Sequence, residues 1–341
     1  MKNRSSWWGG VVVLMALVVG LLAAGPVAAS EVPVVTSSGI ARPADKVTLL
    51  AGGTTGSPSY VGPGRTDAGG ATTSRAATLS KTAPTAIFHI TYHGFSPAAR
   101  AAFQAAADIW ATKVASRIPI TVDATLQPLG NDVLGSGGPG FSWRDFDGAP
   151  RANTWYFDAM ANKRAGRQLD PSADIVATFN SDFDQWYFGT NGATPAGRYD
   201  FESVVMHELG HGLGVLGSGT MTAKRGTARF SSVPTSYDRF TENGSGTPLL
   251  TFANDSTRLA TQLTSNRVFF DSPQVRNANG GRPARLYAPS QWQQGSSYGH
   301  LDERAFPRGN PNSLMTPVLH PGEAIHSPGP ITRALLNSIG W

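Results

Sequence analysis

Several short stretches of the chain place hydrophobic side chains at alternating positions and are rich in β-branched and aromatic residues. This pattern is typical of β-strands, and it predicts strands at residues 86–92, 118–126, 153–157 and 174–180. The glycine-rich segment 135–140 lies between the second and third of these stretches. It predicts a loop, because clustered glycines usually mark turns and irregular connections.

A helix is predicted between the first two strands. Ser96 provides an N-cap and Pro97 a favourable first helical residue. The alanine-rich run that follows places Phe103 and Trp110 at helical spacing, so one face of the helix is expected to pack on a core. The order of one strand, one helix and three strands predicts an α+β fold, in which a mixed sheet carries its helices on one side.

The N-terminal residues have the pattern of an export signal. Lys2 and Arg4 precede a continuous apolar run over residues 11–24, and small side chains follow before Ser30. This three-part form is typical of a secretory signal peptide. The alternative is an uncleaved membrane anchor, for which the run is short against the ~20 residues of a membrane span. We expect residues 1–29 to be removed and the mature protein, without a membrane span, to be secreted or periplasmic.

Residues 30–85 consist mainly of glycine, serine, threonine, proline and alanine, with few large apolar side chains. A segment of this kind buries too little apolar surface to offset the entropy lost on ordering. The composition therefore predicts a flexible linker or a removable propeptide. The folded domain is expected to span residues 86–341.

Composition restricts the chemistry of the chain. Its 341 residues are enough for a substantial core, but none is cysteine, which excludes disulfides, a cysteine nucleophile and cysteine metal ligands. Any metal ion must therefore be held by histidine, aspartate or glutamate. The net charge of +5 would fall to +3 with loss of Lys2 and Arg4, and no basic run is interleaved with aromatic residues. No nucleic-acid partner is expected.

The segment 201–214 predicts an amphipathic helix. Asp200 precedes it as a candidate N-cap, and Gly212 and Gly214 are candidate terminators. At roughly 100° per residue, the hydrophobic residues of the segment gather on one side and the polar ones on the other. The helix is therefore expected to be buried along its apolar side.

The polar side of this helix carries His207, Glu208 and His211. The two imidazoles lie one turn apart and can bind one metal ion, while the carboxylate beside them faces a water molecule at that ion. This is the His-Glu-x-x-His arrangement of zinc hydrolases. The alternative is a helix whose histidines only form hydrogen bonds.

A catalytic zinc site needs a third protein ligand. The longer His-Glu-x-x-His-x-x-Gly-x-x-His motif of the metzincin metalloproteases matches the chain through Gly214, but position 217 is glycine, which has no side chain to bind a metal. The ligand must come from elsewhere, and a carboxylate from Asp302 or Glu303 is one alternative. The other histidines of the chain are His89, His93, His300, His320 and His326.

The C-terminal part of the chain narrows this choice through a family resemblance. His300 is followed by Leu-Met-Thr-Pro at 314–317, and the chain closes on a predicted helix that ends in Gly340 and Trp341. This order resembles the leishmanolysin-like branch of the metzincins, with the chain as a secreted bacterial relative. The resemblance covers roughly residues 87–341. Enzymes of that branch are rich in disulfides, so without cysteine the loops of this chain must be held by packing.

The resemblance implies a metzincin-like mixed twisted sheet with an active-site helix, followed by a C-terminal subdomain with a Met-turn and a terminal helix. It implies His207, His211 and His300 as ligands of a zinc ion (Zn2+), Glu208 as the general base and Met315 as the methionine beneath the zinc. In that branch an insertion displaces the third histidine from the first two.

The same resemblance implies a secreted zinc-dependent endopeptidase that acts as a monomer on protein or peptide substrates. Two alternatives stay open: a non-catalytic, zinc-containing adhesion or binding module of the same fold, and a zinc hydrolase of small substrates. Residues 174–180 would form the edge strand that pairs with an extended substrate. Residues 215–299 would be the insertion, expected to be a partly β subdomain on one wall of the cleft.

Overall fold

The structure is a computed structural model that describes residues 34–36, 39–44, 46–51, 84–130, 133–222 and 226–341. The predicted signal peptide lies outside these ranges. The described residues form a mixture of helices and several sheets, which confirms the α+β class. Within the described ranges, no helix has the length and apolar character needed to cross a membrane.

The strands are β1 (Val34–Thr36), β2 (Gly39–Pro43), β3 (Val47–Ala51), β4 (Phe88–His93), β5 (Ile120–Gln127), β6 (Val133–Pro139), β7 (Phe141–Arg144), β8 (Tyr156–Phe157), β9 (Ile175–Asn180), β10 (Trp186–Tyr187), β11 (Tyr199–Asp200), β12 (Thr220–Met221), β13 (Ala228–Arg229), β14 (Thr241–Asn243), β15 (Val268–Phe270), β16 (Ala284–Leu286) and β17 (Val318–Leu319). The α-helices are α1 (Pro97–Ala111), α2 (Asp158–Ala165), α3 (Phe201–Gly212), α4 (Thr257–Leu263), α5 (Pro273–Ala278) and α6 (Gly329–Ile339). Short 3-10 helices lie at Asp238–Phe240, Leu249–Thr251 and Ser313–Met315.

The largest sheet has six strands in the order β17-β3-β6-β9-β5-β4. Strands β4, β5 and β9 run parallel to one another, whereas β6 is antiparallel to both of its neighbours, β9 and β3. The sheet is therefore mixed, as predicted. The strands predicted at 86–92, 118–126 and 174–180 appear as β4, β5 and β9, with ends displaced by one or two residues.

Strand β9 does not lie at the edge of this sheet. It pairs with β5 on one side and with β6 on the other, so the expectation that residues 174–180 form a substrate-pairing edge strand is wrong. The sheet continues past β9 because the segment 135–140, predicted as a loop, is largely strand β6. The strand predicted at 153–157 is also shorter than expected, since only Tyr156 and Phe157 form a strand and helix α2 begins at the next residue.

Glycines favour loops in a sequence pattern, but in β6 they allow a helix to lie close against the sheet. A Cβ atom on Gly137 would lie 2.8 Å from the Cβ of Glu208, and one on Gly135 would lie 2.9 Å from Glu208 Oε1. Helix α3 could not approach β6 so closely over larger side chains. This close approach is the physical reason why the loop prediction failed.

Helix α1 forms as predicted and packs on α3. The Ser96 side chain accepts a hydrogen bond from the Ala99 backbone amide, and Phe103 and Trp110 are fully buried. The Trp110 indole donates a hydrogen bond of 2.9 Å to the Met206 carbonyl of α3. The two helices are thus joined by both apolar packing and a buried polar contact.

Parts of the segment expected to be a linker or propeptide form strands of the folded domain. Strand β2 pairs with β7, and β3 pairs with both β6 and β17. Ala41, Val47 and Leu49 are buried. The prediction treated residues 30–85 as one segment, and its overall composition hides the short apolar run in β3. For β2 and β3 the flexible-linker alternative does not describe the fold.

Residues 215–299, the segment expected to be an insertion, contain a three-stranded antiparallel sheet of β14, β15 and β16 together with the β12–β13 hairpin and helices α4 and α5. It is partly β, as predicted. Tyr237, Phe270 and Tyr298 form a buried aromatic cluster within it, with Tyr237 in contact with the other two rings. This cluster belongs to the same hydrophobic core as the large sheet.

Candidate metal centre

Helix α3 is fixed at both ends. At its start, the Asp200 carboxylate accepts a hydrogen bond of 2.8 Å from the Ser203 backbone amide, which confirms the predicted N-cap. After its end, Gly214 adopts a φ of +123°, and a Cβ there would lie 2.7 Å from Ile339 of α6. The Trp341 indole donates a 2.6 Å hydrogen bond to the Leu213 carbonyl. The C-terminal residues therefore hold the end of the helix that carries His211.

The structure brings His207, His211 and His300 together, although His300 is far from the other two along the chain. The three Nε2 atoms form a triangle: His207 and His211 are 2.9 Å apart, His207 and His300 3.1 Å, and His211 and His300 3.2 Å. Among the described residues these three form a group whose ligand atoms lie close enough to hold one metal ion. All three side chains are buried.

Each of these imidazoles is oriented by its other nitrogen. His207 Nδ1 lies 2.6 Å from the Leu314 carbonyl, His211 Nδ1 2.7 Å from the Val215 carbonyl and His300 Nδ1 2.7 Å from the Ser296 carbonyl. A carbonyl oxygen only accepts, so each Nδ1 must carry the proton and donate it. In the neutral ring each Nε2 is then unprotonated, and the lone pairs of three Nε2 atoms lie within 3.2 Å of one another.

This arrangement fits a zinc ion. Two nitrogen ligands at ~2.0–2.1 Å from a tetrahedral zinc are ~3.3–3.4 Å apart, close to the separations between the three Nε2 atoms. Nδ1 bonded to backbone carbonyls is also the usual outer support of metal-binding histidine. Three lone pairs facing one another with no proton between them repel, and a cation at their centre converts that repulsion into binding. A zinc ion with three histidine ligands would leave a fourth position open for water.

Burial keeps the histidines in their metal-binding form. It lowers the pKa of His207 to about 4, although the hydrogen bond to Leu314 acts in the opposite direction. Burial, together with the neighbouring histidines, holds the pKa values of His211 and His300 well below their usual range. Neutral imidazole is the form that donates a lone pair to a metal ion, so the unprotonated site is favoured across the neutral pH range.

Glu208 is fully buried beside the histidines. Neither of its carboxylate oxygens has a hydrogen-bond partner of good geometry among the described residues. Burial raises the pKa of Glu208 well above its usual range, and the backbone amide of Leu49 in β3 acts in the opposite direction. A buried carboxyl group without a partner costs free energy, and a water molecule bound at the histidine cluster would supply the missing partner.

Met315 lies against helix α3 at Gly210, between the two histidines of the helix. A Cβ on Gly210 would lie 2.7 Å from the Met315 sulfur, so the methionine fills the space that this glycine leaves. The backbone of the same turn serves the histidines, since the Leu314 carbonyl accepts from His207 and the Met315 carbonyl accepts a 2.8 Å hydrogen bond from the Leu301 amide. The turn therefore links the residues on either side of the metal centre.

Position 217, where the longer motif would place a ligand, is occupied by packing. A Cβ on Gly217 would overlap the Tyr298 ring and lie 2.7 Å from Asp238 Oδ1. Tyr298 lies two residues before His300. It has a φ of +73°, and its hydroxyl donates a 3.0 Å hydrogen bond to Asp238. The strained turn at Tyr298 leads the chain directly into the third histidine.

The other sequence candidates lie outside the cluster. Asp302 is within 3.6 Å of Arg285, and Glu303 lies 3.9 Å from His320. Neither of these two carboxylates, the alternative third ligands, belongs to the group formed by the three histidines. His89 and His93 lie on β4 at the far edge of the sheet, and His326 pairs with Asp200.

Two parts of the site are absent from the sequence prediction. Gly135 and Gly137 make room for Glu208, and the only signal for them is a glycine pair two residues apart, which reads equally well as a loop. Leu49 belongs to a segment whose composition indicates a linker. Its alternating Val47, Leu49 and Ala51 are the signal that could have identified a strand.

The N-terminus of α3 holds a second buried ionisable cluster. His326 lies 2.8 Å from Asp200 and 3.5 Å from Glu202, and Asp200 also accepts from Thr194 and Ser203. Burial alone would raise the pKa of Asp200, but these hydrogen bonds hold it below its usual value. Burial raises the pKa of Glu202 to about 7, with a further increase from Asp200 and an opposing effect of His326.

The raised pKa of Glu202 gives a testable pH dependence. The protonated Glu202 carboxyl group contributes to stability. This contribution is fully present below the unfolded pKa of about 4.5 and is lost as the pH rises through the folded pKa of about 7. Glu202→Gln removes this titration. The free energy of unfolding of the variant minus that of the unmodified chain should therefore be about 1–3 kcal/mol larger at pH 8 than at pH 4.5. Urea denaturation at both pH values measures the difference. Equal differences at the two pH values would contradict the assignment.

No protein-family model, curated protein or solved structure matches this chain.

Proposed function

We propose that this chain is a secreted zinc-dependent endopeptidase of the metzincin type. The observation that supports it most strongly is the convergence of three Nε2 atoms within 3.2 Å of one another, each imidazole held by a backbone carbonyl, beside a buried carboxylate that lacks a hydrogen-bond partner of good geometry. Hydrogen bonding alone would not require three lone pairs to face one another. The methionine turn beneath α3 and the terminal helix that contacts its end are consistent with that family.

The mechanism assigns a separate task to each group. His207, His211 and His300 would hold the zinc ion, which when bound lowers the pKa of water toward ~7 and polarises the scissile carbonyl. Glu208 accepts the proton from the attacking water and delivers it to the leaving amine.

The two other functions make different demands on this site. A non-catalytic binding module needs the three histidines but not a buried carboxyl group, whose lack of a partner costs about 1–3 kcal/mol. A hydrolase of small substrates needs the same histidines and carboxyl group, and the assay below distinguishes it from an endopeptidase. Endopeptidase activity accounts for the carboxyl group as well as the histidines.

Chelator-sensitive cleavage of casein by the purified protein tests the proposal. We expect cleavage that stops with a zinc chelator and returns when zinc is added. Chelator-sensitive hydrolysis of small esters without casein cleavage would favour the small-substrate hydrolase. Zinc binding without either activity would favour the binding module.

The glycines of β6 provide a steric test of the position of Glu208. Gly137→Ala adds a methyl group where 2.8 Å separates it from the Glu208 Cβ, so it should lower the free energy of unfolding by about 1–3 kcal/mol and displace the carboxylate. Casein cleavage should fall with it. Gly130→Ala is the matched control: its neighbourhood is open but its φ is +87°, so it should cost about 1 kcal/mol and leave cleavage unchanged. Equal cleavage by both variants would contradict the assigned geometry.

A further inference from the structure

The metal centre is closed to a large substrate in this structure. His207, Glu208, His211 and His300 are each no more than 1% exposed. An endopeptidase must admit a polypeptide to these groups, so whatever covers them occupies the position of the substrate. Strand β3 lies over Glu208, because its central residue, Leu49, is paired with Gly135, and a Cβ on Gly135 would lie 2.9 Å from Glu208 Oε1.

The backbone of β3 is bound on both sides. It runs antiparallel to β6 and parallel to β17. On the side away from β6, the Thr48 amide donates to the Gly295 carbonyl at 2.9 Å and the Leu50 amide to the Pro317 carbonyl at 3.1 Å. On the β6 side, the Ser136 hydroxyl donates to the Val47 carbonyl at 2.9 Å. Main-chain pairing of this kind recognises an extended peptide independently of most of its side chains.

The side chains of β3 enter the space between the sheet and α3. Residues paired across antiparallel strands project to the same face, so Leu49 projects with the Cβ direction of Gly135, toward Glu208. Leu49 is only 2% exposed. Val47 packs with Phe157 and Leu216 in a separate small cluster. The groove is thus filled by two apolar side chains at alternate positions.

We propose that the groove between β6 and β17 is the binding site for an extended peptide and that residues 46–51 occupy it as an intramolecular competitor. This inference rests on the proposed endopeptidase function and identifies its substrate site, its substrate class and its regulation. A substrate would add as a strand antiparallel to β6, with an apolar side chain in the Leu49 position. Cleavage of large substrates is slow while this strand stays paired, and because the chain has no cysteine, the block uses strand pairing rather than a thiol ligand.

The test compares two variants of the full chain. Thr48→Pro with Leu50→Pro removes the two amides that bond to Gly295 and Pro317. Thr48→Ala with Leu50→Ala truncates the same side chains and keeps both amides, so it is the matched control. Leu49→Asp is a second means of release, since it places a carboxylate beside Glu208 without altering the backbone.

The first readout is amide hydrogen exchange in zinc-free protein. Exchange over residues 133–139 should be at least ~10-fold faster in the double-proline chain and in Leu49→Asp, because β6 loses a neighbouring strand. The control should exchange like the unmodified chain, and helix α1 should stay protected in all of them, which shows that the domain remains folded. Unchanged exchange over residues 133–139 in both released variants would overturn the proposal.

The second readout uses a synthetic peptide with the sequence of residues 44–52. Labelled with a fluorophore, it should bind the zinc-free released variants by fluorescence anisotropy at least ~10-fold more tightly than the unmodified chain, since their groove is vacant. With zinc present, both released variants should cleave an added peptide faster than the control does, and the 44–52 peptide should slow them.

Failure of this inference differs from failure of the proposed function. Equal cleavage rates for the released variants and the control, with chelator-sensitive activity in each, would overturn the competitor role while leaving the endopeptidase intact. Absence of cleavage in every chain, with fast exchange and tight peptide binding in the released variants, would contradict the endopeptidase and support the groove.

Discussion

Glu208→Gln is expected to retain one zinc ion per chain and to lower kcat/KM for peptide hydrolysis by ~10²–10⁴-fold, the usual contribution of a general base. Glutamine has nearly the size of glutamate, so the packing against Gly135 and Gly137 stays intact, but its amide cannot accept a proton. The zinc ligands do not include this side chain. Steady-state kinetics and elemental analysis of the same preparation measure both effects.

The control for this substitution is Glu202→Gln, on the same helix. Glu202 contacts His326 and lies at the other end of α3 from the metal ligands. The Glu202→Gln variant should have a kcat/KM within about twofold of that of the unmodified chain, because Glu202 takes no part in the reaction. Full activity of the Glu208→Gln variant, with its zinc content confirmed, would eliminate Glu208 as the base. Loss of zinc in that variant would instead show that Glu208 is a ligand.

His300→Ala is expected to weaken zinc binding by more than ~100-fold, since changes even to outer groups that orient ligands weaken it by ~10–100-fold. The remaining pair on α3 gives two nitrogens, one fewer than a catalytic zinc site uses. Peptide hydrolysis should fall below detection at micromolar zinc. Competition against a zinc-binding dye measures the affinity directly.

His320→Ala is the matched control, because it removes an imidazole from the same C-terminal region. His320 lies 3.9 Å from Glu303 and is not part of the three-histidine cluster. Its removal should leave zinc affinity and hydrolysis unchanged. If His320→Ala lowered zinc affinity as much as His300→Ala does, the assignment of the third ligand would be wrong.

The local patterns in the sequence predict the parts of the fold that short-range physics determines. Ser96 and Pro97 begin α1, Asp200 caps α3, and the alternating stretches form β4, β5 and β9. Each of these depends on residues within one or two turns of the chain. The loop predicted at 135–140 fails because the requirement for glycine there comes from α3, which is distant in sequence.

The candidate site divides in the same way. Helical spacing alone places His207, Glu208 and His211 together, and no other part of the fold is needed to predict it. His300 could be selected only through a family resemblance, because its approach depends on the turn at Tyr298 and on the bond from Leu301 to Met315. The alternation around Leu49 could have indicated a strand, but not its position over Glu208, because that position depends on pairing with β6 and β17.

The central claim is that His207, His211 and His300 hold one zinc ion, and anomalous diffraction at the zinc absorption edge tests it most directly. Crystals of the unmodified chain grown with zinc should show one anomalous difference peak that lies ~2.0–2.1 Å from the Nε2 atom of each of the three histidines. A stoichiometric zinc peak on other residues, or no peak at these three histidines, would contradict the claim.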